Sequence, residues 1–231
     1  MYELILFDAD GTLFDYQKAE KNAFYKTFSF MDRENELERL HQMYKQINGV
    51  VWREFERGEI SAEKLRVERF VRLLSACATE FPAGKLDPAE LSRGYLSFLA
   101  HSNELLPSAE DIVMYCAEKY LVSVITNGLQ DVQEARIGES VLAEYIDKIF
   151  ISEEIGYPKP DARIFSHALH QYAGLEKSAV LLVGDNLISD IGGGNDFGID
   201  TCWFNQNKLP NETGIHPRYE IHGLAELKDI I

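Results

Sequence analysis

A chain of 231 residues, 45% of them hydrophobic, can bury a sizeable core and fits one large domain or a core domain with an insertion. A formal net charge of -15 disfavours nucleic-acid polymers and anionic membrane surfaces as main partners, so an anionic ligand needs local positive charge. No run of eighteen apolar residues and no secretory pattern at the N-terminus is found, which makes cytoplasmic residence the expectation, and Cys77, Cys116 and Cys202 lack metal-ligand spacing and read as reduced core residues.

The first element is the apolar run Glu3-Leu4-Ile5-Leu6-Phe7, which leads into Asp8-Ala9-Asp10-Gly11-Thr12. Continuous hydrophobicity over so few residues predicts a strand covered on both faces of a parallel sheet, with carboxylates delivered at its carboxyl end. Taken alone, Asp8 to Gly11 is equally an ordinary strand-ending turn, since Asp and Gly favour turns. From there to about residue 104 no strand is predicted. Leu37, Leu40, Tyr44, Ile47, Val51 and Phe55 step by three or four along one helical face that ends near Gly58. Leu65, Phe70, Leu73, Leu74 and Cys77 continue in a second helix, with a stop expected at Pro82-Ala83-Gly84. Asp87-Pro88-Ala89-Glu90 is a helix start, and a helix over about 88–100 follows.

Beyond Pro107 the pattern alternates helix with short apolar strand, the signature of βαβ units. Strands are predicted over 121–126, 148–151, 179–184 and 201–204, with helices over 132–145, 161–172 and 188–197. The first strand belongs with these, which leaves 1–14 and 105–231 as one α/β unit with a Rossmann-like parallel sheet flanked by helices. Residues 15–104 form an all-helical insertion.

Polar residues follow the strands of this unit. Thr126-Asn127-Gly128 ends one and offers a hydroxyl and backbone amides to phosphate oxygens. Gly184-Asp185 ends another, with Asp190 five residues later, and Pro158 and Pro160 flank Lys159 in a stiff loop. Lys159 taken alone is a surface lysine in most proteins. The triple glycine 192–194 lacks a dinucleotide fingerprint and reads as close helix-to-sheet packing.

In their order and spacing these four segments resemble the haloacid dehalogenase-like hydrolase superfamily, in the branch with a helical cap inserted after the first motif. The resemblance implies a catalytic core of 1–14 and 105–231 and a cap of 15–104. It implies Asp8 as nucleophile, Asp10 as general acid and base, and Thr126, Asn127 and Lys159 as phosphate-binding residues. It further implies Mg2+ on Asp8, the Asp10 carbonyl and Asp185, with Asp190 and Thr12 in support. Members that dehalogenate carbon lack the second aspartate, so Asp10 speaks for phosphate chemistry.

Within the phosphatases, the stretches Phe7 to Asp10, Trp52 to Ser61, Ile151 to Gly156 and Thr201 to Asn205 are similar to bacterial pyrimidine 5'-nucleotidases. The implied substrate is a small phosphomonoester. Phe14, Tyr16 and Trp52 are candidate base contacts through stacking, each weighed against plain packing, which for Trp52 is the commoner use of such a side chain. Two enzyme alternatives stay open, a phosphatase for sugar phosphates or phosphoglycolate and a phosphomutase on the same core. A catalytically silent phosphate sensor is the alternative of another class.

Overall fold

A computed structural model describes residues 1–31, 34–78, 81 and 85–231. The chain divides into two compact units, one of Met1–Tyr16 with Asn103–Ile231 and one of Gln17–Ser102. The expected stop at Pro82-Ala83-Gly84 lies outside the described residues.

The first unit holds a six-stranded, fully parallel sheet of β1 (Leu4–Phe7), β2 (Leu121–Thr126), β3 (Lys148–Ile151), β4 (Val180–Gly184), β5 (Asp200–Phe204) and β6 (Tyr219–Ile221). Their order is β3-β2-β1-β4-β5-β6, so β1 is central and the chain changes direction of travel between β1 and β4. The carboxyl ends beside such a change of direction form the crevice where open α/β sheets bind ligands. All four residues of β1 are fully buried because both faces are covered. Ile5 and Phe7 pack with Ile112, Val113 and Cys116, while Leu4 and Leu6 pack on the other side with Ile164, Phe165 and Ala168. Burying each such side chain contributes about 1.5–3 kcal/mol.

The second unit is helical: α1 (Tyr16–Thr27, whose first residue still belongs to the sheet unit), α2 (Glu34–Glu56), α3 (Ala62–Ala76) and α4 (Pro88–Ala100). Ser61 caps α3 by accepting from the Lys64 amide, and Asp87 caps α4 by accepting from Ala89, with Pro88 in the first turn. Its core is aromatic. Tyr44 packs between Phe24, Phe70 and Tyr95 at ring separations of 5.0, 5.4 and 5.4 Å. Beside these rings lies a buried polar chain in which Glu20 meets His41 and Asn48, and Arg69 donates to Asn48.

The remaining helices belong to the sheet unit: α5 (Ala109–Ala117), α6 (Gln130–Gly138), α7 (Ser152–Ile155), α8 (Ala162–His170) and α9 (Gly193–Phe197). Four elements depart from the sequence expectation. The helix expected over 132–145 stops at Gly138 and resumes as a 3-10 turn at Ala143–Tyr145, because Ser140 Oγ donates to the Ile137 carbonyl and accepts from Leu142. The helix expected over 188–197 opens as a π-helical turn, Leu187–Gly192, before α9. Strand β6 and the short helix α7 were outside the expected set.

Candidate active site

The segment after β1 folds into a tight turn in which Leu13 and Phe14 both donate to the Ala9 carbonyl and Gly11 donates to Phe14. Gly11 has φ +90, and a Cβ there would lie 2.4 Å from Asp185 Oδ2. Only glycine suits both the backbone and that approach. The turn hands its two acids to different partners.

Asp8 sits at the end of β1, its amide donating to the Val183 carbonyl of β4, and it is 7% exposed. Lys159 Nζ donates to Asp8 Oδ1 at 2.7 Å and to the Ile125 carbonyl of β2 at 2.8 Å, and pairs with Asp190 Oδ1 at 2.7 Å. This lysine is 1% exposed, so the surface role that a lone lysine usually has is excluded. Asn127 fixes its backbone from both sides, accepting from the Lys159 amide at 2.7 Å and donating to its carbonyl at 2.9 Å. Thr12 Oγ1 lies 3.3 Å from Asp8 Oδ2. Thr126, buried at the end of β2, accepts from the Gly128 amide.

Asp185 follows β4, with its carbonyl held by the Trp203 indole at 2.9 Å. Asp190 lies one turn further on; its Oδ2 accepts from the Asn186 amide, and Asn186 in turn caps Ile188 and Ser189. Carboxylate oxygens of Asp8, Asp185 and Asp190 come within 4.8 Å of one another. Burial, then the Asp190 and Asp10 charges, push Asp8 up to about 7 against the opposing pull of Lys159. Enclosure and repulsion from Asp8 and Asp190 raise the Asp185 carboxyl well above the usual range. Burial alone lowers Lys159, but Asp190 and Asp8 outweigh it and hold the ammonium charged. A cluster of three acids facing one lysine carries excess negative charge, and a hard divalent cation with oxygen preference fits that donor set.

Asp10 points to α6. Its Oδ1 pairs with Arg136 Nη1 and its Oδ2 accepts from Gln133 Nε2 at 2.6 Å. Neither residue was among the expected set, although Gln133 and Arg136 stand one turn apart beside apolar Val132 and Ile137, where polar side chains need a buried partner. The start of α6 is itself satisfied from a distance by Glu153 of α7, which accepts from the Gln130 amide at 2.7 Å.

The specificity candidates separate. Phe14 is fully buried, with the Arg136 guanidinium 5.0 Å from its ring centre. Tyr16 is partly exposed at the start of α1. Trp52 is partly exposed on α2 in an edge contact with Phe55, ring centres 5.7 Å apart. The triple glycine serves close packing: a Cβ on Gly193 would lie 2.9 Å from the Pro160 backbone.

Comparison with known proteins agrees with this arrangement. Residues 2–198 match the family model of haloacid dehalogenase-like hydrolases. The chain is 33% identical over 231 residues to the pyrimidine 5'-nucleotidase PynA of Streptococcus pneumoniae, covering 100% of this chain and 95% of that protein. It is 29% identical to the pyrimidine 5'-nucleotidase YjjG of Escherichia coli, covering 100% and 98%. The magnesium-bound crystal structure of the HAD-hydrolase YfnB from Bacillus subtilis superposes with a TM-score of 0.88 at 32% identity, over 99% of this chain and 98% of that one.

Proposed function

The chain belongs to the haloacid dehalogenase-like hydrolases, and on that premise we propose that it is a magnesium-dependent phosphomonoesterase acting on pyrimidine nucleoside 5'-monophosphates. The observation that carries the reaction class is the triad of Asp8, Lys159 and Asp190 at the end of the sheet, with Asp10 two residues after Asp8. The substrate class rests on the two full-length relatives named pyrimidine 5'-nucleotidases.

In this reading a carboxylate oxygen of Asp8 attacks phosphorus and the ester P–O bond breaks, leaving an aspartyl phosphate. Asp10 gives a proton to the departing 5'-oxygen. Water then attacks the aspartyl phosphate, Asp10 takes a proton from it, and the bond to Asp8 breaks to release inorganic phosphate. Lys159 holds Asp8 in place and, with Thr126 and the amides beside Asn127, balances charge on the phosphoryl oxygens. The residues that would hold Mg2+ are Asp8, Asp185 and the Asp10 carbonyl, with Asp190 in support. Bound there, the ion would supply positive charge that screens the attacking carboxylate from the phosphate dianion and stabilises the transferred group. We keep Trp52, of the helical unit, and Tyr16, of the sheet unit, as candidate base contacts.

Phosphate release is the test, from a panel of nucleoside monophosphates, sugar phosphates and phosphoglycolate, with magnesium and with chelator, and Asp8→Asn as blank. Magnesium-dependent turnover highest on pyrimidine monophosphates and absent in the variant is the expected outcome. Highest turnover on a sugar phosphate overturns the substrate and keeps the reaction, and release from no ester overturns both.

A further inference from the structure

We propose that Gln133 and Arg136 are positioning residues for Asp10, fixing the plane of its carboxylate so that it meets the leaving oxygen; this rests on the phosphatase reading above. A short side chain on a turn has two rotatable bonds and no reason of its own to hold one orientation. Here each carboxylate oxygen has its own donor, Arg136 Nη1 on Oδ1 and Gln133 Nε2 on Oδ2. Two donors on opposite ends of a planar group stop it rotating.

Those donors are themselves buried. Arg136 is 0% exposed and Gln133 1%, and the guanidinium lies against the buried Phe14 ring of the same turn that carries Asp10. Gln133 reaches Asp10 by running back past Gly128, where an added Cβ would lie 2.1 Å from its Nε2 and 2.6 Å from its Cγ. The glycine after Thr126-Asn127 therefore leaves the passage through which α6 reaches the second aspartate. A single helix thus ties the segment after β2 to the segment after β1. Proton transfer demands hydrogen-bond reach between donor and acceptor, so an acid held in one orientation gains where an acid that wanders does not.

A merely structural ion pair would tie α6 to the turn without regard to the leaving group. The two roles separate on esters whose leaving oxygens differ in need of a proton. The p-nitrophenolate of p-nitrophenyl phosphate departs unaided, whereas the 5'-alkoxide of a nucleoside monophosphate does not. We compare kcat/KM, which reports through leaving-group departure, for both esters in wild type, Gln133→Ala, Gln133→Glu and Arg136→Lys. The expected loss is on the order of tenfold or more on the nucleotide and at most about threefold on the aryl ester. Gly128→Ala, which displaces the Gln133 amide from the other side, is expected to show the same ester-selective loss. Equal losses on both esters, or no loss on either, overturn the positioning role. Wild type inactive on both esters, or Asp8→Asn still active, overturns the phosphatase reading instead. An inactive Asp8→Asn with ester-independent losses at Gln133 and Arg136 leaves that reading standing alone.

Discussion

Removing the Lys159 ammonium leaves Asp8 and Asp190 facing each other in a buried site, and two carboxylates in that position take up a proton rather than stay charged. Lys159→Met is therefore expected to lower kcat by on the order of 10²- to 10³-fold, measured by steady-state phosphate release. A variant as active as wild type removes the lysine from the reaction. The raised Asp8 carboxyl gives a second prediction. Its ordinary value of 3.8 is pushed up to about 7, so the folded protein binds this proton more tightly than the unfolded chain does. Without metal, the stability contributed by this one group is fully present below the ordinary value and is lost as pH rises through about 7. On the proposed function, magnesium binding displaces that proton, so its affinity, read by calorimetry, is expected to weaken from pH 8 to pH 6, about tenfold per unit below the shifted value for one displaced proton. Affinity unchanged across that range overturns the argument. Asp8, Asp10 and Asp185 were legible because they follow strand ends closely, Lys159 because it sits between prolines, and Asp190 by its spacing from Asp185. Gln133 and Arg136 were not, since their partner Asp10 lies 123 and 126 residues away and no local pattern encodes that pairing.

At the scale of elements, periodicity located the elements and missed their interruptions. The helix predicted over 188–197 is two pieces because Asn186 accepts from Ile188 and Ser189 and its carbonyl takes both the Asp190 and Ile191 amides. The wider π turn swings Asp190 back toward Lys159, as such turns often do at functional sites. Immediately after it, Gly193 lets α9 lie against Phe165 of α8 and the backbone of Pro160, next to Lys159. Gly193→Ala puts a methyl group 2.9 Å from a backbone atom that a side-chain rotation cannot move. We expect a stability loss of about 1–3 kcal/mol by urea denaturation, with the m-value unchanged. A neutral substitution would mean that α9 shifts freely, and with it the support under the lysine loop. Strand β6 escaped notice for a different reason. It has three residues, Tyr219, Glu220 and Ile221, between Arg218 and His222, and an edge strand that short carries no readable alternation.

For the whole molecule, the sequence implied a parallel sheet but not its strand order, because every central strand is an equally apolar run. The order decides function: with β1 between β2 and β4, the residues after these three strands come together at one edge, which is where Asp8, Thr126 and Asp185 lie. That edge belongs to a protein of formal net charge -15, and Lys159 and Arg136, buried beside the two catalytic candidates, are already matched to carboxylates. On the proposed function, a phosphate monoester dianion would approach against a net repulsive field, which magnesium at the acid cluster would offset only at short range. The Debye length shrinks from about 30 Å at 0.01 M salt to about 8 Å at 0.15 M, so added salt removes the long-range repulsion while leaving the buried pairs nearly intact. With magnesium saturating, kcat/KM for a nucleoside monophosphate is expected to rise as potassium chloride is raised over that range, with kcat nearly constant, since the field acts on encounter rather than on chemistry. A fall in kcat/KM would show that a local positive field around the site outweighs the net charge, and would direct substitutions to the lysines and arginines that create it.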